Sequence, residues 1–479
     1  MKNWKISLGG MLILALAFSG SAFAETQNVK VSGSLDVYAF YRGNFDLLDD
    51  NDASVSAAGA TVAGGGIPAQ THSGTAGQRS DVDEFFFSIT QVEVSADLTD
   101  NVSTVINLIN QRDWTSDTLD TAGDVSSGAT NEFDILLDLA YVQMKEIFYS
   151  PLTLTIGRQD LLFGRGFIVG WNPQDPQGIN QAEEFTQIQS FDAIRATLDF
   201  NPWTLDFVYS KIAERSLNPE DDRDLYITNV NYKFAEYNAV AEGYYVGDFN
   251  RSTLSGSTGT FDEETNTVGG RVQFDPISQM TLGAEMAYQF GETRNGTLLN
   301  PVRDREAWAT DIFGEYRWDN VWKPMVGIQY VHLSGEGDLS STTNSFSAWN
   351  GAFRGPIYGW YHDYKEIYFA TAFSSDQAAG QNQQHISVYG SMQPMEDLKL
   401  TAAYWYFWSD EDVHVTSGVQ SSSTLDDEIG HEIDLAAIYS YTEDVTFTLM
   451  ADWFIPGDMY NEPFDAVATQ LVGEVKVVF

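Results

Sequence analysis

The chain has 479 residues, with 25 Lys+Arg against 68 Asp+Glu and a formal net charge of -43. So acidic a molecule repels nucleic acid, which excludes a general nucleic-acid role. The absence of cysteine excludes disulfide frameworks, thiolate zinc sites and Cys nucleophiles. With 43% hydrophobic and 14% aromatic residues it is too apolar for a solvated coil, so charged and apolar positions must be segregated.

The N-terminus carries Lys2 and Lys5, then an apolar run from Ile6 to Phe18, then Ala22-Phe23-Ala24. A charged start, a short apolar stretch and a small-x-small site read as a cleaved secretory leader over 1–24, with one domain filling 25–479. The run is short for a membrane anchor crossing roughly 30 Å of hydrocarbon, and no later run is long enough for a spanning helix.

From Val31 onward, two-residue alternation recurs. The pattern predicts strands at 30–42, 84–98, 101–113, 132–145, 151–161, 189–200, 203–213, 223–234 and 238–248. It continues at 265–275, 279–291, 306–318, 322–333, 384–392, 397–409, 429–440, 444–454 and 468–479. Alternation alone also fits a soluble sandwich. The connections decide. Tight turns such as Thr99-Asp100 and Asn201-Pro202 alternate with long Gly/Ser/Asn/Asp-rich loops such as 43–83, 162–188, 334–383 and 410–428. Short inner turns against long outer loops predict an all-β fold, a transmembrane antiparallel β-barrel of about 18 strands in a bacterial outer membrane. An even count puts both termini in the periplasm. Segment 366–373 looks like a strand but would make the count odd, so it is assigned to the loop 334–383. Trp203, Trp318, Trp322, Trp405, Trp408 and Trp453 fall near strand ends, as interfacial aromatic girdles require.

Parity then assigns faces, because successive side chains of a strand point to opposite sides. In 444–454, Val445, Phe447, Leu449, Ala451 and Trp453 face lipid; in 279–291, Met280 to Phe290 do so at even numbers. Asp36, Arg42, Asn107, Gln111, Arg195, Asp199, Arg271, Glu285, Asp311, Glu315, Arg317 and Lys399 then line the lumen, where charge sets selectivity. Arg158 shares parity with lipid-facing Leu154 and Ile156, at a cost of roughly 2–4 kcal/mol at the midplane. Either a bulge at Gly157, a residue type expected at bulges, turns it inward, or it lies at the outer rim and snorkels. Arg158, Arg165 and Arg195 could form a cationic patch for acidic sugars; alternatively they pair with luminal Asp192, Asp199, Glu285 and Glu315.

Loops 43–83 and 162–188 are candidates for folding into the mouth. The run Asp49-Asp50-Asn51-Asp52 could hold Ca²⁺ through oxygen ligands, although a solvated loop explains it as well, and no other cofactor is implied. The histidines at 72, 332, 362, 385, 414 and 431 show no H-E-x-x-H spacing, no G-x-S-x-G elbow occurs, and Gly64-Gly65-Gly66 precedes no helix. Catalysis therefore has no support in the sequence.

The stretch Leu154–Phe200 reads LTIGRQDLLFGRGFIVGWNP and, after a loop, SFDAIRATLDF. It resembles the alginate export family of outer-membrane porins in Gly157, Arg158, Gln159, Gly164, Gly170, Trp171, Phe191, Asp192 and Arg195. The resemblance implies an 18-stranded barrel with an arginine-lined constriction that conducts a polyanionic polysaccharide. It also implies that a terminal aromatic, here Phe479, is read by the barrel-assembly machinery. The leading expectation is thus a pore for hydrophilic solutes, oligo- or polysaccharide included. The alternative is a structural barrel whose acidic loops bind divalent cations, lipopolysaccharide or a surface layer.

Overall fold

A computed structural model of the chain describes residues 28–44, 47, 82–114, 135–172, 185–214, 222–253, 260–294, 302–337, 344–355, 382–411, 426–460 and 465–479. The leader, most of the loop 43–83, the acidic run at 49–52 and the segment 366–373 lie outside the described residues.

The strands follow in chain order. The first nine are β1 (Asn28–Gly43), β2 (Val82–Thr99), β3 (Val102–Asp113), β4 (Leu136–Met144), β5 (Leu152–Gln159), β6 (Phe191–Asp199), β7 (Trp203–Ala213), β8 (Arg223–Lys233) and β9 (Val240–Thr253). The next five are β10 (Thr260–Ile277), β11 (Met280–Arg294), β12 (Val302–Arg317), β13 (Met325–Leu333) and the two-residue β14 (Ser345–Phe346). The last five are β15 (Gln383–Met395), β16 (Leu398–Trp408), β17 (Glu428–Ser440), β18 (Val445–Pro456) and β19 (Ala468–Val478). Each predicted strand has its counterpart, with ends shifted by a few residues. The exception is β14, which the alternation did not reveal.

Wall strands pair antiparallel with their chain neighbours, and β13 passes over β14 to pair with β15. The ring closes where β1 pairs with β19 from Ser34↔Val478 to Gly43↔Thr469. At the seam Gly33 and Phe479 exchange both backbone hydrogen bonds, at 2.9 and 3.0 Å. The wall is therefore an 18-stranded closed barrel, and β14 sits off it, parallel to the outer end of β12.

The two faces divide as parity requires. Met286, Ile312, Ile328 and Leu449 are exposed outward, whereas Asp36, Glu285, Asp311 and Asp452 on the other face are buried. Exposed Trp203, Trp318 and Trp322 ring the end with the tight turns, where Trp203 lies 4.5 Å from Tyr232 and Trp318 lies 4.7 Å from Tyr316. Trp405 departs from the expected girdle. It is buried in the lumen, and its Nε1 donates to Asp434 Oδ2 at 2.8 Å. The reason is that β16 ends in Tyr404-Trp405-Tyr406-Phe407-Trp408, aromatic on both faces, so alternation carries no information there.

Gly157 does not mark a face-switching bulge. Leu152–Gln159 pairs without a register shift against Leu198–Phe191, and Leu154–Arg158 does so against Met144–Ala140. The glycine, at φ 121°, is needed because β4 crosses so closely that a Cβ would stand 2.1 Å from the Ala140 carbonyl oxygen. Arg158 thus keeps the outward parity of Ile156, at the outer end of β5.

Replacing Leu449, on the lipid face, by Arg should lower barrel stability in vesicles by about 2–4 kcal/mol. Replacing neighbouring lumen-facing Thr448 by Arg should cost much less. Denaturant midpoints of the two refolded variants check this, and equal midpoints would mean that the faces are assigned wrongly.

Candidate functional site

The wall alone would leave an unusual lumen. Phe191 and Ala193 of β6, Val208 and Ile212 of β7, Leu225 and Ile227 of β8 and Val246 of β9 all point inward and are apolar. Left to water, each large side chain would forgo about 1.5–3 kcal/mol of burial. The chain leaving β5 covers them: Leu161 and Val169 pack on this patch, and Phe167 packs on Ala287, Ala307, Ala309, Val331 and Leu333. The described part of the loop 162–188 therefore folds inward, as expected for it. Its later part does the same further round the wall. Phe185 lies 5.5 Å from Tyr38 and 5.2 Å from Phe40, and the Gln187 amide donates to Asp36 at 3.2 Å.

A second inward segment, residues 344–355, was not anticipated. It runs from β14 past the fully buried Trp349 to Phe353, which joins the first apolar patch. The Gly170 and Trp171 N–H groups donate to the Phe353 carbonyl at 2.8 and 3.1 Å, and the Gly355 N–H donates to the Gly166 carbonyl at 2.8 Å. The backbones meet so closely that a Cβ on Gly170 would stand 3.0 Å from Gly166 Cα and 3.2 Å from Gly355 N. Arginines of the wall clamp this segment. Arg305 donates to the Ala348 carbonyl at 2.8 Å and pairs with Glu263 at 3.0 Å. Arg303 donates to the Ser345 carbonyl at 2.6 Å and pairs with Glu336 at 3.2 Å. Arg223 grips Asp248 with two bonds of 2.7 and 2.8 Å and lies over the Phe353 ring.

Between the inward segments and the wall stands the turn Phe163-Gly164-Arg165. Arg165 Nη1 lies 3.4 Å from Asp311 Oδ2, with its guanidinium 3.9 Å over the Phe313 ring. Arg195 pairs through Nε with Asp206 at 2.9 Å and lies 5.2 Å over Phe163. Arg271 pairs with Glu242 at 3.4 Å, and Glu285 accepts the Tyr244 hydroxyl at 2.8 Å. Glu242, Tyr244 and Glu285 line a small cavity beneath Phe163 and Gly164. The turn and these wall residues form a constriction built from β6, β7 and β9–β12.

The other residues expected in the lumen sit above or below it. Arg42, near the outer rim, donates to Gln470 at 2.6 Å and lies over Phe40 and Phe85. Toward the tight-turn end, Glu315 contacts Arg317 and accepts the Tyr389 hydroxyl at 3.0 Å. Asp199 caps the Asn201 N–H at 3.0 Å, and Lys399 lies exposed on the inward parity of Trp405 and Phe407. Two assignments are corrected. Asp192 shares the outward parity of exposed Ile194 and is itself open, and Arg158 pairs with it at 3.3 Å. That pair belongs to the outer rim and not to the pore lining.

At the level of the turn, Arg165, Arg195 and Arg271 are thus each paired with a carboxylate. The partners of Arg165 and Arg195 are Asp311 and Asp206 rather than Asp199, Glu285 or Glu315. Sequence reasoning missed Arg223, Arg303 and Arg305. Arg303 and Arg305 share the parity of Asp311, but the predicted strand began at Glu306 and left them in a loop.

At the rim His332 stacks on Trp308 at 3.8 Å and places Nε2 2.7 Å from Asp410. Burial pushes the Asp410 carboxyl up, but its hydrogen bonds with His332, the Gly335 N–H and Gln384 outweigh burial and hold it below its ordinary value. Among the described residues no group of three His, Cys, Asp or Glu side chains is arranged to hold a metal ion.

Gly170→Val should part the two inward segments and raise single-channel conductance, with noisier openings. Conductance identical to the parent would mean that these segments do not set the narrowest passage.

Known proteins give the same architecture. OccK8 (OprE) of Pseudomonas aeruginosa superposes with a TM-score of 0.50 at 12% identity, over 95% of this chain and 98% of its own. OccK9 (OpdG) of the same organism gives 0.50 at 12%, over 95% and 99%. OccK2 (OpdF), solved in complex with glucuronate, gives 0.50 at 10%, over 95% and 99%. No curated protein matches the sequence. The family model described as alginate export matches residues 75–474, nearly the whole barrel. The chain belongs to the alginate export family of outer-membrane porins.

Proposed function

We propose that the protein is a passive outer-membrane pore for hydrophilic solutes of saccharide size. One observation carries the proposal: a closed wall with a polar inner face is narrowed at one level by Phe163-Gly164-Arg165 set against Asp311, Arg195 and Arg271. Such a layout filters solutes. Donors and acceptors replace part of a solute's hydration at the narrow point, and the paired arginines hold the turn in place. Family membership supports transport across the outer membrane, and the neighbour that holds glucuronate supports a sugar-sized hydrophilic cargo.

Refolded protein in planar bilayers should give ohmic single-channel currents that soluble oligosaccharides interrupt. Folded barrels that stay silent, yet bind vesicles bearing lipopolysaccharide in a calcium-dependent manner, would replace the pore by a surface scaffold.

A further inference from the structure

The lipid side of the wall carries a hollow that the pore does not use. Val326, Gly390, Ala402, Leu435 and Ala451 stand opposite one another across β13 and β15–β18 and form one outward rung, mostly of small side chains. The next rung toward the tight turns has Ala437 between Leu400 and Leu449. The rungs beyond these are large throughout. Ile328, Val388, Tyr404, Ile433 and Trp453 stand on the long-loop side, and Leu398, Tyr439 and Phe447 on the tight-turn side. Small side chains between large ones leave a groove of about 600 Å³, running from Pro324 and Met325 to Leu449 and Ala451. Its lining exposes almost only carbon.

Its dimensions fit one leaflet. Five strands are separated by four gaps of about 4.8 Å, so the groove is roughly 19 Å long. A strand tilt of about 45° turns that length into a climb of roughly 14 Å, about half of the roughly 30 Å of hydrocarbon. The climb starts beside the tight turn before β13, so it lies in the leaflet on that side. In an outer membrane that leaflet is phospholipid, whereas lipopolysaccharide fills the other. Hydrocarbon is the solvent on this face, so packing decides what fills a hollow, and an empty one forfeits dispersion contacts along its walls. A second barrel is a broad convex surface that cannot follow a channel one side chain wide, and an isologous pair would set the hollow against itself. A flexible acyl chain can follow it.

The low end of the groove carries charges of both signs. Lys323 lies exposed beside Pro324. The Gln393 N–H donates to the Trp322 carbonyl at 2.7 Å, which brings the next turn, with exposed Glu396 and half-buried Asp397, alongside. One cation and two carboxylates on neighbouring turns complement a zwitterionic headgroup better than an anionic one. We infer that the groove holds one acyl chain of a phospholipid with an amine headgroup, its phosphate meeting Lys323 and its ammonium meeting Glu396 and Asp397. Such a lipid bridges five strands from outside and stabilises the folded wall by binding it.

The test is native mass spectrometry of the refolded full chain, offered equal amounts of phosphatidylethanolamine and phosphatidylglycerol with the same acyl chains. The parent should retain one phosphatidylethanolamine per barrel, in preference to phosphatidylglycerol by about threefold. Ala402→Leu combined with Ala437→Leu fills the hollow and should cut retention by about fivefold or more. Ala284→Leu, on the lipid face between Val272 and Ile312, should leave it unchanged. Gly390 is kept, because a Cβ there would stand 2.7 Å from the Met325 carbonyl oxygen. Lys323→Gln, in an exposed turn, should weaken retention by about two- to fivefold and decides the matter if the filled barrel does not fold. Undiminished retention by the filled variant or by Lys323→Gln, or a parent that prefers phosphatidylglycerol, overturns the inference. So does a lipid-free dimer that the filled variant abolishes, which would give the hollow to a second copy.

Discussion

In hydrocarbon no water is available to a peptide group, so each N–H and C=O of the wall must find its partner within the protein. That demand dictates the rest. It forces the sheet to close on itself, β1 on β19, and leaves no edge in the lipid. Closure fixes which way every side chain looks, since one residue of slip would turn a whole strand inside out. Through the middle of the wall the acid in this chain is then kept to the inner face, with the rest, Asp192 among it, at strand ends and in the connections. This is how a molecule so negatively charged can also be a membrane protein.

The inner face obeys a different economy. Where it is polar, opposite charges meet across adjacent strands: Arg195 of β6 on Asp206 of β7, Arg223 of β8 on Asp248 of β9, Arg271 of β10 on Glu242 of β9. Where it is apolar, a loop must cover it, and the segments 160–172 and 344–355 do so. The hydrophobic effect draws the segments in, and the arginines fix their height. The constriction is the by-product of both, because Phe163-Gly164-Arg165 is the part of the first segment left projecting between its anchors.

The barrel was legible because its signals are repeated and local. Eighteen alternating stretches with turns of unequal length leave little room for another fold. Parity then placed Arg195, Arg271, Glu285 and Asp311 inward, where the structure has them. The inward segments were half legible. Phe191, Val208 and Leu225 on the supposed wet face announce a cover, but nothing in the neighbouring sequence says which loop provides it. Contacts such as Gly170 to Phe353 join residues far apart in the chain, beyond the reach of periodicity. Asp192 was misplaced because it was assigned by its family motif and charge rather than by its parity with Ile194. Gly157 suggested a bulge on general grounds, while the actual reason was the backbone of β4 passing beside it.

The seam between β1 and β19 has a kinetic consequence. Arg42 and Gln470, which meet there, are 428 positions apart, whereas every other wall pairing joins strands close in sequence. Bringing such distant ends together in a free chain costs about 5 kcal/mol of loop entropy. Hairpins joined by tight turns can assemble one after another, but the zip that completes the cylinder has to wait for both ends. Until then two long strand edges are unpaired and sticky. A chain stalled before β19 therefore cannot hide its defect, and whatever handles this protein on its way into the membrane has to shield those edges to the last step.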